Sequence, residues 1–203
     1  MTVPSTPSRP GALVVSGMLL AALALVPTGA LAHAGEIGEH ASLAHGFVDG
    51  FVHPFTGFDH VGATLAAGLW GARSERRMWA APLVFVCGLV LGALASVSGL
   101  VVPDVEPMIA FSLLSLGLLL ASRTYVPPLL ATAMVGGFAV YHGVAHGVIL
   151  GSEIALVGML VATALLCGCG TLAGVAVRSR SPWWTRGAGV ALAVFGATHL
   201  ATF

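Results

Sequence analysis

Apolar residues in this chain come in long runs, near 41–72, 79–101, 107–122, 127–150, 154–177 and 183–203. A helix crossing a bilayer needs roughly 20 such residues, so the pattern predicts six membrane spans. Ahead of them, residues 1–32 pass from a short polar stretch carrying Arg9 through an apolar run, 11–26, to Pro27-Thr28-Gly29-Ala30-Leu31-Ala32. That order is the pattern of a secretory signal peptide, with Ala30-x-Ala32 as its small-residue cleavage site. Cleavage leaves His33 first, on the outer side, and gives every later span a direction. The fold expected is an all-α membrane protein, with 1–32 a cleavable signal peptide and 33–203 a six-helix transmembrane domain. Its mature N-terminus lies outside.

Charge supports this threading. The predicted inner loops hold Arg73, Arg76, Arg77, Arg123, Arg178, Arg180 and Arg186, and the outer connections hold Asp104, Glu106 and Glu153 without a basic residue. Such a bias is the positive-inside rule, and Trp79, Trp183 and Trp184 fall at inner boundaries where interfacial aromatics belong. Only 8% of residues are charged and 57% are hydrophobic, with a mean hydropathy of +0.97, against about a quarter charged in soluble domains. A soluble globular enzyme is excluded. With eight Arg, no Lys and a net charge of zero, no basic surface is available for nucleic acid. Lipid is the surrounding partner. Cys87, Cys167 and Cys169 lie within apolar runs, and Cys167 and Cys169 are about 200° apart on a helix, so they read as packing residues. Small-xxx-small spacings at Gly88/Gly92, Gly143/Gly147 with Gly151, and Gly170/Gly174 predict close helix packing.

Histidine is the unusual entry, eight residues in a chain that has discarded most other ionisable groups. At membrane depth the pattern places His45, Asp49, His53, Asp59, His60, His142, His146 and His199. Such groups are costly in lipid and mark pathways or sites. The first span is also too long: 41–72 as one helix measures about 48 Å against a hydrocarbon core of about 30 Å. Pro54 removes a backbone donor and Gly57 frees the chain, so His53-Pro54-Phe55-Thr56-Gly57-Phe58-Asp59-His60 is where the helix should break. Broken helices of this kind face transport sites.

At helical spacing His45, Asp49 and His53 share a face leading from the outer surface to the break, and His142 and His146 stand one turn apart on the fourth span. Paired imidazoles suit Ni, Co, Zn or Cu, whereas Mg or Ca prefer oxygen. Five imidazoles and two carboxylates therefore predict a metal or proton pathway. His199, alone near the chain end, reads as a packing residue, and the segment with His33, Glu36, Glu39 and His40 as a polar tail able to attract metal. The segments Ala44-His45-Gly46-Phe47-Val48-Asp49-Gly50 and Tyr141-His142-Gly143-Val144-Ala145-His146-Gly147 both read x-His-Gly-x-x-[Asp/His]-Gly. Three spans separate them, which predicts a 3+3 inverted repeat with the site between halves.

The motif His53-Pro54-x-x-Gly57-x-Asp59-His60, followed by Gly68-Leu69-Trp70, resembles the hallmark of the HupE/UreJ family of small membrane proteins. The His-Gly-x-x-His-Gly of 142–147 is similar to that family's second block. The resemblance implies a bacterial inner-membrane permease for nickel, or cobalt, that supplies hydrogenase or urease maturation, with partners in a metallochaperone or maturation proteins. It carries over His53, Asp59 and His60 as metal-handling residues. Where the family often has Met after the motif, this chain has Val61-Gly62-Ala63-Thr64-Leu65, so a soft thioether ligand is missing and the metal is less constrained.

The metal is expected as cargo, with no permanently bound cofactor. The outer segment with His45 and Asp49 would collect the cation, and His53, Asp59, His60, His142 and His146 would pass it on. Imidazole binds metal when neutral, so affinity should fall as pH drops below about 6.5. No Gly-x-x-x-x-Gly-Lys sequence occurs, so this chain does not hydrolyse ATP through a P-loop. Two rivals differ in class. Paired imidazoles also serve a b-type haem anchor for electron transfer, which would not need Asp49 or Asp59. A metalloprotease needs a Glu beside its ligands, and His142-Gly143-Val144-Ala145-His146 has none, so no enzymatic activity is expected.

Overall fold

The structure is a computed structural model, and it describes residues 43–122, 126–147, 152–179 and 181–203. The expected signal peptide and its cleavage site, the segment from His33 to His40, Arg123, Gly151 and Arg180 lie outside the described residues. Seven helices make up the described chain: α1 (Leu43–Thr56), α2 (Phe58–Gly71), α3 (Ala80–Val97), α4 (Val105–Ala121), α5 (Pro128–Gly147), α6 (Glu153–Arg178) and α7 (Pro182–Leu200). Among them α3, α5 and α6 are long and apolar enough to cross a membrane, and α4 is apolar but shorter at 17 residues.

The expected break is present. Pro54 lies inside the last turn of α1, and Gly57 adopts extended backbone, φ −113° and ψ 121°, before α2 begins. Pro54 supplies no N–H, and the Thr56 hydroxyl donates to the His53 carbonyl at 2.7 Å across the same turn. On the other side of the break, Asp59 accepts the His60 N–H at 2.9 Å, where a carboxylate also meets the positive end of the helix dipole. Two 14-residue helices thus replace one overlong span.

Burial follows the logic of lipid rather than water. Ala63, Ala66, Ala67, Ala81, Ala93, Ala110 and Ala139 are buried together with Phe85, Leu89, Leu113 and Leu116, while Leu83, Leu91, Leu94, Leu118, Leu165 and Leu172 face outward. Small residues let backbones approach, and large aliphatic ones fit a hydrocarbon surround. Cys167 joins the core while Cys87 and Cys169 face outward, all three as free thiols.

Packing is dominated by α3 with α5, α4 with α7, and α6 with both α1 and α2. The contacts are reciprocal. A side chain at Gly50 would strike the Ala155 backbone, three residues before Gly158, and one at Gly158 would strike Phe47 and Phe51, three before and one after Gly50. In α3 and α5, Gly143 meets Leu89, three before Gly92, and Gly92 meets Val140 and Val144, three before and one after Gly143. The pair α4 and α7 repeats the device on itself: Gly117 meets Gly189 and Ala193, seven and three before Gly196, and Gly196 meets Ala110 and Leu114, seven and three before Gly117. Exchanging α1 with α5, α3 with α6 and α4 with α7 therefore maps each of these six glycine contacts onto another, while those of α2 at Gly68 and Gly71 have no counterpart. This exchange pairs Gly50 with Gly143, whereas the sequence match pairs Gly46 with Gly143. The packing register lies one helical turn away because backbone approach, not side-chain likeness, sets it.

At the end of the helices that carries the arginines, Arg73 donates to the carbonyls of Leu119 at 3.2 Å and Leu120 at 2.5 Å, and stacks 4.6 Å over the Trp70 ring. Arg178 reaches the Ala72 carbonyl at 3.4 Å and pairs with Glu75 at 3.3 Å. These contacts draw the C-terminal ends of α2, α4 and α6 together, and the orphan carbonyls of α4 gain a cationic cap.

Candidate metal centre

The break between α1 and α2 lets His53 and His60 turn toward α5, where His142 and His146 lie one turn apart. His53 Nε2 stands 2.8 Å from His146 Nδ1, and His146 Nε2 stands 3.1 Å from His60 Nδ1. The far nitrogen of His60 continues to the Thr163 hydroxyl on α6 at 3.1 Å. Three imidazoles from α1, α5 and α2 thus form one hydrogen-bonded series that ends on a fourth helix. A neutral imidazole carries one N–H and one lone pair, so the protons of the series must all point the same way along it. Both polarities satisfy every link.

His142 flanks this series. Its ring centroid lies 5.7 Å from that of His60 and 5.9 Å from that of Phe85, and its Nε2 lies 3.0 Å from the Ser112 hydroxyl on α4. His60 and His142 are 1% and 0% exposed, so both depend on protein partners for their polar atoms. Among the described residues no set of three or more His, Cys, Asp or Glu side chains is arranged to hold a metal ion. The imidazoles occupy one another's hydrogen-bonding positions, and a cation bound here would replace N–H···N links with coordinate bonds.

The other expected residues fall in different places. Asp59 sits in the first turn of α2 and lines a cavity of about 230 Å³ with Glu106, Ile109 and His199. His45 and Asp49 are exposed on α1, and the imidazole series takes His53 alone from their stripe. His199, read from sequence as a packing residue, does pack between Phe195 and Phe203 at 6.1 and 5.6 Å, and it also faces the cavity of Asp59 and Glu106. Ser112 and Thr163, both fully buried, escaped the sequence analysis. A lone hydroxyl in an apolar run commonly bonds its own helix, so nothing in the pattern marks these two as histidine partners.

A chain with aliphatic outer faces, alanine- and glycine-rich packed faces and a cluster of histidines joined across separate helices has the make-up of a membrane-associated protein with a buried imidazole cluster. Comparison with known proteins agrees. The family model described as HupE / UreJ protein matches residues 20–199. Protein HupE of Rhizobium leguminosarum bv. viciae is 36% identical over 187 residues, which cover 89% of this chain and 94% of that protein. The chain belongs to the HupE/UreJ family. No solved structure matches it.

Proposed function

We propose that this protein is a six-span secondary transporter that carries nickel, or cobalt, into the cytoplasm across the bacterial inner membrane for hydrogenase or urease maturation. The observation that supports the reading is the series His53···His146···His60, three hydrogen-bonded imidazoles contributed by three helices around a break. First-row transition cations prefer such donors. In this reading residues 1–32 are a cleaved signal peptide, α1 and α2 together make the first span, and the mature N-terminus lies outside. His45, Asp49 and the cavity of Asp59, Glu106 and His199 offer the approach for a hydrated cation, and the cluster of His53, His60, His142 and His146 strips it.

The two halves are proposed as an inverted repeat, supported by the reciprocal glycine contacts. Under that exchange His53 corresponds to His146, and these two imidazoles touch at 2.8 Å. In this reading the pair lies on the axis that relates the halves, and the site falls between them as in transporters of this architecture. Helix rearrangement about Pro54 and Gly57 would then open the series to either side. A haem between axial imidazoles is disfavoured by the same distances, because direct N···N hydrogen bonds leave no slot for a macrocycle.

The test is uptake of radiolabelled nickel and cobalt by cells expressing the intact protein or His53→Ala at equal membrane levels. Saturable uptake of one metal, lost in the variant, is expected. No uptake of either metal by the intact protein would overturn the reading.

A further inference from the structure

Ser112 makes two contacts through one oxygen: 2.7 Å to the Ile109 carbonyl and 3.0 Å to His142 Nε2. A carbonyl can only accept, so the single hydroxyl proton is committed to Ile109. Toward His142 the Ser112 oxygen is therefore an acceptor, and Nε2 must carry the proton. A neutral imidazole has one proton, which leaves Nδ1 as a bare lone pair. That atom is buried and has no hydrogen-bond partner, the one such side-chain atom among the described residues. A buried acceptor without a donor costs about 1–3 kcal/mol, so its retention calls for a ligand.

We propose that Ser112 is a positioning residue that locks His142 in the Nε2–H tautomer and presents its Nδ1 lone pair to the transported cation. This rests on the transport reading above and assigns a residue and an atom that it did not contain. Metal-binding imidazoles typically give their second N–H to a fixed acceptor, which sets the ring's tautomer and strengthens the ligand. Ser112 occupies that role from α4, a helix that supplies no histidine. Its placement also explains why the hydroxyl is doubly engaged: without the Ile109 carbonyl, the hydroxyl could donate to His142 and select the opposite tautomer.

The experiment has two arms on the full-length chain. In the first, nickel and cobalt uptake are measured for the wild type, Ser112→Ala and Ser112→Thr at matched membrane levels. Ser112→Ala should raise KM about tenfold or more, the usual cost of losing such a partner, with a smaller change in the maximal rate, and Ser112→Thr should restore KM by returning the hydroxyl. In the second, the 15N spectrum of metal-free, detergent-solubilised protein is recorded, with the His142 signals identified by their loss in His142→Gln. A protonated Nε2 and bare Nδ1 are expected in the wild type and a mixture of tautomers in Ser112→Ala. A wild-type His142 protonated at Nδ1, or a normally inserted Ser112→Ala with unchanged KM, would overturn the proposal. Should Ser112→Thr be too bulky to insert, the alanine variant and the spectrum decide. Absence of all uptake by the wild type would instead bring down the transport reading and the ligand role with it, while the spectrum would still report whether Ser112 sets the tautomer.

Discussion

His60 is the residue on which the centre turns. It receives or gives a hydrogen bond at both ring nitrogens, to His146 at 3.1 Å and Thr163 at 3.1 Å, and it is almost wholly buried. Replacement by Ala removes the link between α2, α5 and α6 without adding a clash, so His60→Ala should abolish metal uptake while the protein still reaches the membrane, as uptake with quantitative immunoblotting would show. Thr163→Val keeps shape and removes the hydroxyl. It should lower thermal stability by about 1–3 kcal/mol, the cost of an unpaired buried polar group, measurable by unfolding of the purified protein. Histidines were legible as candidates because a charged or polar ring in an apolar run is expensive and needs a cause. Their partners were not, since Ser and Thr are cheap in a membrane helix and satisfy themselves locally.

Among the elements, the break in the first span and the close α3–α5 contact do the most to place the histidines. The break was readable because Pro54 and Gly57 act through local backbone chemistry, and length alone demanded an interruption. The helix contacts were readable only as a tendency. Gly143 faces the Leu89 carbonyl and lies 2.8 Å from the Ala93 nitrogen measured from an added Cβ, and backbone cannot move aside as a flexible side chain can. Gly143→Ala should therefore destabilise the protein by about 1–3 kcal/mol, as overpacking does. It should also displace His142 on the adjoining position. Gly137 has open space at its Cβ, so Gly137→Ala on the same helix should cost no stability and gain up to about 1 kcal/mol from helix propensity, and an equal loss in both variants would refute the packing argument.

For the whole molecule, the arginine contacts at one end and the reciprocal packing make a prediction about topology. In a background lacking Cys87, Cys167 and Cys169, a membrane-impermeant thiol reagent should label Val101→Cys on intact cells, because Val101 is 89% exposed between α3 and α4. Ser74→Cys, between α2 and α3 beside the arginines, should label only after the membrane is broken. The reverse pattern would contradict the orientation proposed here.

Span-like apolar runs, the side preferred by arginine and the histidines worth attention all followed from composition and order, because lipid penalises each exposed polar group by itself and so writes its rules residue by residue. The tertiary structure decided which histidines meet. It joined His53, His60 and His146, left His45 and Asp49 exposed on α1, and brought His199 to the cavity of Asp59 and Glu106. It also brought Ser112 and Thr163 to the histidines as partners. Those outcomes depend on how closely glycine-lined backbones approach and on the direction of individual hydrogen bonds, properties of pairs of helices that no single stretch of sequence contains.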